Sequence, residues 1–444
     1  MANRRRGRVH NKLAQGSNAI LPGSYEINHV RMTANNGEIF DILDLVAQIK
    51  IFESIDTASL TAQLFILDAG NYFEKLKISG NERIDLSIAR RDIEGEAVSV
   101  DTELYIANMS YFKKTSPGNV TYLLTCVPKQ AYMNQLQVIS RPFQDSPGAL
   151  ISNICQNDLQ IEPGFISTDT KEVIRGVYPR MRPLTLITWL QRRSFDNGSP
   201  HYFYDTYSEG VRFDSLENMQ NADVYDTFIF EPFQTGITGS PDNYEMRRTQ
   251  ILELSTDNMS ISKFTPASRG GYASTLHKLD IANKKYEVAK YNYNNRKMNK
   301  LNQNPPLADD IMFNDRKIED YNEAKHFYVS LNSLSHGNIS NYHAPAADSL
   351  IQANGYISNL NSLEITIQIH GDFSIASGKK LNIVVRKGVD RARSSESTMD
   401  QYLSGNYIIH SITHDFAENY IQTVTLRKDS YIESMNNIIE KEST

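Results

Sequence analysis

Apolar and polar positions alternate with a period of two along residues 363–429. Leu363, Ile365, Ile367 and Ile369 alternate with Glu364, Thr366, Gln368 and His370, the pattern of a strand buried on one face. Turn signals follow at Gly371-Asp372 and Ser377-Gly378, on either side of the short run Phe373-Ser374-Ile375. The alternation predicts further strands at residues 381–386, 406–414 and 420–428, with a polar loop over 389–401. No catalytic motif interrupts these strands, so the segment reads as a strand-pairing module.

A related pattern fills residues 20–128. Strands are expected at 24–30, 42–52, 59–67, 83–89, 102–113 and 120–127. Asn35-Asn36-Gly37, Asp68-Ala69-Gly70, Ser79-Gly80-Asn81 and Ser116-Pro117-Gly118-Asn119 separate them. Strands recurring with such turns, without helical patterns between them, indicate an antiparallel barrel or sandwich. Residues 69–76 are expected to form a helical turn crossing it.

Residues 130–206 change period. Asp145-Ser146-Pro147 supplies a helix N-cap and a proline for the first turn, and Leu150, Ile151, Ile154 and Leu159 follow at helical spacing. A second helix starts at Arg182-Pro183, with Leu184, Ile187 and Leu190 on one face and Trp189 off it. It is expected to stop near Asp196-Asn197-Gly198, with Arg192 and Arg193 in its last turn. A hairpin is expected between 201–207 and 210–213, turning through Ser208-Glu209-Gly210, and a strand at 224–230. Residues 243–354 carry the weakest pattern: 311–330 reads as helical and 332–348 as a polar linker.

At 444 residues the chain is long enough for roughly two to four domains with a substantial core. The net charge of -6 argues against a duplex-binding protein, and 24 Tyr on a polar background suit protein interfaces. Residues 278–301 nonetheless carry Lys278, Lys284, Lys285, Lys290, Arg296, Lys297 and Lys300 interleaved with Tyr286, Tyr291 and Tyr293. Such a stretch either serves a nucleic-acid strand or is a solvated, extended segment whose tyrosines pack on a neighbour, and the acidic chain favours the second. The first residues are basic (Arg4, Arg5, Arg6, Arg8) with no apolar run behind them, so they are not a secretion signal. They form either an arm that grips an acidic partner or a solvated tail. No run of 18 apolar residues exists, so no membrane insertion is expected. Cys126 and Cys155 lie in apolar-patterned segments and are expected to be buried, reduced thiols.

Candidate chemistry is sparse. His410 and His414 have the spacing of helical zinc ligands, but on a strand they sit about 13 Å apart, too far for one ion. The carboxylate pairs Glu94/Glu96, Asp309/Asp310 and Glu319/Asp320 invite comparison with glycoside hydrolysis, yet their polar surroundings read as solvated charge. Gly270-Gly271 reads as a turn rather than a phosphate loop, and Cys155 has no histidine partner in its pattern. No nucleophile elbow, phosphate-binding loop or dinucleotide fingerprint is present. The expectation is a protein without catalytic residues, cofactor or metal.

Several blocks are similar to the baseplate hub proteins of contractile-tailed bacteriophages. These are Ile78-Ser79-Gly80-Asn81-Glu82-Arg83-Ile84, then Trp189-Leu190-Gln191-Arg192-Arg193-Ser194, Gly198-Ser199-Pro200-His201-Tyr202-Phe203-Tyr204-Asp205 and Gly210-Val211-Arg212-Phe213-Asp214-Ser215-Leu216-Glu217. The C-terminal strands, from Leu403-Ser404-Gly405-Asn406-Tyr407 through Ser411-Ile412-Thr413-His414-Asp415-Phe416 to Tyr420-Ile421-Gln422-Thr423-Val424-Thr425-Leu426, resemble the wider hub group of tails and injection machines. Their order along the chain is what carries the resemblance.

It implies a mainly β fold with α/β insertions: two antiparallel, tube-like β-barrel domains and a small α/β domain. The corresponding division is a basic arm (1–19), a first barrel (20–129), an α/β domain (130–206), a second barrel (207–242 with 355–430), an inserted mixed or helical region (243–354) and a tail (431–444). The resemblance implies a homotrimeric ring of pseudo-sixfold symmetry between the sixfold tail tube protein and the threefold central spike protein. Other baseplate (wedge) proteins would surround the ring, DNA would pass through its lumen without specific binding, and assembly would precede virion release, in the host cytoplasm. The residues alone leave two alternatives open: a carbohydrate- or receptor-binding β-protein, and a peptidoglycan hydrolase in 243–354 relying on Asp309 or Glu319.

Overall fold

The computed structural model describes residues 22–433 apart from 71, 92–96, 117–118, 168–169, 171–172, 197, 232–243, 257–263, 282, 297, 305–311, 331–343, 362 and 388–398. The basic arm, most of the 389–401 loop, most of the 332–348 linker and nearly all of the C-terminal tail lie outside the described residues.

The N-terminal half follows the predicted alternation. Its elements are β1 (Glu26–Thr33), β2 (Ile39–Asp41), β3 (Val46–Ser54), β4 (Thr61–Asp68), α1 (Tyr72–Leu76), β5 (Arg83–Arg91), β6 (Ala97–Ser116) and β7 (Asn119–Pro128). Asp68 starts α1, accepting from Gly70 N at 2.9 Å and Phe73 N at 2.7 Å. The turn before β5 is organised by Glu82, whose carboxylate accepts from the amides of Ser79 (2.6 Å), Gly80 (3.0 Å) and Asn81 (3.1 Å). Burial would raise its pKa, but these hydrogen bonds prevail and hold the carboxyl below its usual range.

The middle of the chain holds α2 (Lys129–Leu136), β8 (Pro142–Asp145), α3 (Pro147–Asn153), β9 (Phe165–Ile166), β10 (Ile174–Val177), α4 (Pro183–Gln191), β11 (Phe195–Asp196), β12 (Ser199–Thr206), β13 (Gly210–Ser215), α5 (Leu216–Asn221) and β14 (Val224–Phe230). Ser146 caps α3, its hydroxyl accepting from Ala149 N at 3.4 Å, with Pro147 in the first turn. Helix α4 ends at Gln191, about two turns before the expected stop near Gly198. Arg193 falls just beyond it, its guanidinium 3.7 Å from the Trp189 ring centre and donating to Trp189 O at 2.9 Å.

The next region contains α6 (Tyr244–Arg248), β15 (Ile251–Ser255), α7 (Phe264–Ser268), β16 (Ala273–Asp280), β17 (Lys285–Asn292), β18 (Met312–Phe313), β19 (Arg316–Lys317), β20 (His326–Ser330) and α8 (Ala344–Leu360). The helix expected over 311–330 is absent there. Short strands and 3-10 turns replace it: the apolar spacing of Ile318, Tyr321, Ala324 and Phe327 is helix-like, but residues 326–330 pair in parallel with the distant β16 instead. The linker expectation also fails from Ala344, where α8 begins. The basic stretch around β17 is only partly solvated. Lys278, Tyr291 and Tyr293 are buried, and Arg296 pairs with buried Asp429 at 2.5 Å.

The last described elements are β21 (Leu363–His370), β22 (Lys380–Val385), β23 (Gly405–Phe416) and β24 (Tyr420–Lys428). Most described strands join one 13-stranded sheet in the order β15-β21-β24-β23-β3-β4-β7-β6-β5-β1-β2, with β14 and β22 reached through β23. Strand β23 links the halves. Its first residues, Gly405 to Ile408, pair with β22, and its last, Ser411 to Phe416, pair with β3. The change of neighbour coincides with a register shift between Ile409 and Ser411, a bulge that bends the strand from one half into the other.

Each half surrounds its own core. Ile49, Ile51, Leu64 and Ile88 centre the first, and Ile365, Ile367, Ile383 and Leu426 the second. Burying each such side chain stabilises by about 1.5–3 kcal/mol, an upper bound given a compact unfolded chain. Single contacts return toward the start of each half. Tyr420 N donates to Gly23 O at 2.9 Å, just before β1, and Ile229 in β14 bridges to Gln250, just before β15. Among the described residues no continuous strand pairing closes either half. The α/β region has a separate core built on Ile151, Ile154, Leu186, Leu190 and Phe213.

Candidate functional site

Polar groups concentrate where the two halves meet at β3 and β23. Glu53, on β3, is buried among three segments, accepting from Tyr207 N at 2.6 Å and from Ser377 N at 2.7 Å. His414 stands beside it, Nε2 3.6 Å from Glu53 and Nδ1 2.8 Å from the Tyr420 hydroxyl. Gln422 donates to Tyr420 Oη at 3.0 Å and to Asp372 O at 2.9 Å, while Asp372 N returns a bond to Gln422 Oε1 at 3.0 Å. Burial drives the Tyr420 hydroxyl far above its ordinary pKa, so it stays a neutral donor and acceptor.

The network continues outward through ion pairs. The Asp372 carboxylate meets Arg90 of β5 at 3.1 Å and Arg248 at 3.3 Å, and Arg248 meets Asp226 at 2.5 Å. Arg90 belongs to the first half and Asp372 to the second, so the pair crosses the seam. These hydrogen bonds and ion pairs fix register and angle between the halves.

Two other polar clusters lock neighbouring junctions. Asp205 of β12 accepts from Gln130 Nε2 at 2.6 Å and Leu60 N at 3.3 Å, fastening the α/β region to β4. Burial, with Glu53 nearby, pushes its carboxyl up to about 7. Asp429 accepts from Arg296 at 2.5 Å and Leu301 N at 3.1 Å, beneath an open cleft of about 790 Å³ between residues 298–303 and β22–β23. The cleft amides bond largely to one another and to backbone. Asn302 Nδ2 donates to Asn406 O at 3.1 Å, and Asn406 Nδ2 to Leu301 O at 3.2 Å. Lys428 lies between the rings of Tyr407 and Tyr431, donating to Tyr402 O at 2.7 Å and Ser404 O at 2.8 Å. Burial pushes its ammonium down to about 7.

The sequence candidates are scattered. His410 and His414 both lie on β23, but the bulge separates their environments. His410 faces Asp56 at 3.5 Å, while His414 enters the seam against Glu53. Burial and Arg427 lower the His410 pKa. Glu319 is buried and accepts from Asn294 at 2.9 Å, and Asp320 accepts from Asn292 at 3.2 Å, so both brace the end of β17 rather than face each other across a cleft. Glu94, Glu96, Asp309 and Asp310 lie outside the described residues. Gly270, at φ +76, ends α7, where Gly271 N bonds to Pro266 O at 2.7 Å. Cys126 and Cys155 are free and buried, and burial pushes both thiols up to about 12, unreactive at neutral pH. Among the described residues no group of three or more His, Cys, Asp or Glu is placed to hold a metal ion. No helix of the described residues is long and apolar enough to cross a membrane.

The seam residues Glu53, Arg90, Asp372 and Gln422 carried no sequence signal. Each occupies an ordinary polar position in an alternating or turn segment, and only the pairing of β3 with β23 brings them together.

No family model and no curated protein sequence matches the chain. Among solved structures, the 43 kDa tail protein of prophage MuSo2 from Shewanella oneidensis aligns at a TM-score of 0.51 and 12% identity, covering 92% of this chain and 100% of that one. The chain has the fold of a phage tail protein. The tail protein from Neisseria meningitidis MC58 aligns at a TM-score of 0.49 and 12% identity over 91% of this chain and 97% of that one. An E. coli type VI secretion component, described as similar to the T4 bacteriophage tail proteins gp27 and gp5, aligns at a TM-score of 0.41 and 8% identity over 92% and 77%.

Proposed function

We propose that this chain is the hub subunit of a contractile phage tail baseplate, a virion protein that acts by assembly and has no catalytic turnover. Three copies form a ring of pseudo-sixfold symmetry that adapts the sixfold tail tube to the threefold central spike. Wedge proteins surround it and DNA passes through without specific binding. The observation that carries this reading is the pair of core-bearing β-halves joined through one shared strand, β23. Two tube-like modules per chain, repeated three times, present six similar surfaces to one neighbour and three to the other. The returning contacts Tyr420–Gly23 and Ile229–Gln250 favour barrel-like curvature in each half. A rigid polar seam suits a part that must hold its angle while force and DNA pass through it.

Light scattering on the full chain, alone and with the co-expressed spike protein, tests the proposal. A trimer mass in either condition is expected, and a stable monomer in both overturns it. The carbohydrate-binding alternative predicts glycan retention by the monomer. The hydrolase alternative predicts peptidoglycan lysis that Glu319→Gln abolishes. The buried, amide-bonded position of Glu319 favours neither.

A further inference from the structure

The β17–β16–β20 sheet stands apart from both β-halves, and one of its faces is open. Register sets His277 of β16 beside Val288 and Tyr328, and Thr275 beside His326. Alternation sends Leu276, Ala289 and Phe327 to the opposite face, which packs on Ile351 of α8. On the open face His277 Nε2 lies 2.9 Å from His326 Nδ1, and His277 Nδ1 lies 2.6 Å from the Tyr286 hydroxyl. Tyr328 stacks on the His277 ring with centroids 4.7 Å apart. His326 is exposed and Tyr328 is 76% exposed, so small solutes reach the pair directly.

We propose that His277 and His326 jointly bind one divalent transition-metal ion, of the class Zn²⁺, Cu²⁺ or Ni²⁺, with water completing its coordination. Imidazole nitrogen suits these ions and disfavours Mg²⁺ and Ca²⁺. Metal–nitrogen bonds of about 2.0–2.1 Å, at angles between square and tetrahedral, place two histidine nitrogens roughly 2.8–3.4 Å apart. The observed 2.9 Å therefore widens by at most about half an ångström. The two rings lie within 22° of coplanar with centroids 5.2 Å apart, so the facing nitrogens point along one line. Rotation of the exposed His326 side chain redirects its lone pair toward an ion set to one side. Tyr286 positions the other ligand: in the tautomer whose Nδ1–H donates to the Tyr286 hydroxyl, His277 Nε2 carries the lone pair that faces His326. His326 shifts its N–H to Nε2 when Nδ1 binds, so the ion replaces the shared proton and none is released.

Calorimetric titration of the untagged full chain with ZnCl₂ and CuSO₄ tests the site. One saturable site per chain is expected, lost in both His277→Ala and His326→Ala and retained in His29→Ala. Tyr286→Phe is expected to weaken it about tenfold, the usual effect of removing a partner that orients a ligand. The Cu²⁺-loaded wild-type chain is expected to show electron paramagnetic resonance splitting from two imidazole nitrogens, a readout that does not depend on any variant folding. Absence of saturable binding, absence of the two-nitrogen splitting, or unchanged binding in both histidine variants overturns the proposal.

Discussion

Two buried carboxylates contribute to the pH response of this protein in opposite directions. The Asp205 carboxyl is pushed up from 3.8 to about 7, so between those values the folded chain binds a proton that the unfolded chain releases. Its contribution is complete at low pH and disappears as pH rises through 7. From pH 5 to pH 8 this group removes on the order of 2–3 kcal/mol of stability. Asp205→Asn keeps an acceptor for Gln130 and Leu60 and is expected to flatten that slope in urea titrations across pH. Glu82 behaves inversely, since its folded pKa is depressed by the Ser79, Gly80 and Asn81 amides. Its stabilisation is present above the ordinary glutamate range and lost as pH falls through the folded value. Glu82→Ala is expected to cost about 1–2 kcal/mol at pH 7 and less at pH 3, read by the same titrations. Removing Glu53 leaves two buried amides unpaired, so Glu53→Ala is expected to cost about 3 kcal/mol by chemical denaturation.

At the scale of the element, β23 decides how the halves meet. Thr413 pairs with Phe52 on one side and Thr423 on the other, so its backbone is enclosed while its side chain stays half-buried. Thr413→Pro removes a ladder hydrogen bond and is expected to cost about 3 kcal/mol or more, whereas Thr413→Ala is expected to stay within about 1 kcal/mol. Comparing the two melting temperatures isolates the strand junction from the side chain. The turn before β22 is equally constrained. Gly378 has φ +87, and a Cβ there would lie 2.4 Å from the Tyr204 hydroxyl. Gly378→Ala is therefore expected to lower the melting temperature measurably, by backbone strain and by displacement of Tyr204.

For the whole molecule, the hub proposal calls for a passage that DNA crosses without adhering. A chain with net charge -6 is expected to show no retention of duplex DNA at physiological salt in filter binding. Micromolar affinity that falls steeply with added salt would contradict the proposal. The burial of Lys278 and Arg296, two members of the basic stretch, reduces the positive surface of that stretch.

Local pattern alone determined much of this protein. Residues 363–370 and 120–127 lie in strands because their apolar side chains recur every second position, and α3 starts at Pro147 because serine and proline satisfy a helix start without outside help. Those signals act within a few residues and survive in the sequence. The end of α4 and the strands that replace the helix expected over 311–330 depended on packing against distant segments, and local spacing misread them. The seam was beyond local reading altogether. Glu53, Arg90, Asp372 and His414 are far apart in the chain, and nothing near any of them requires a buried charge. Their meeting follows from β23 changing partners from β22 to β3 at a bulge, and from the cost of burying a carboxylate without donors, which only the assembled halves supply.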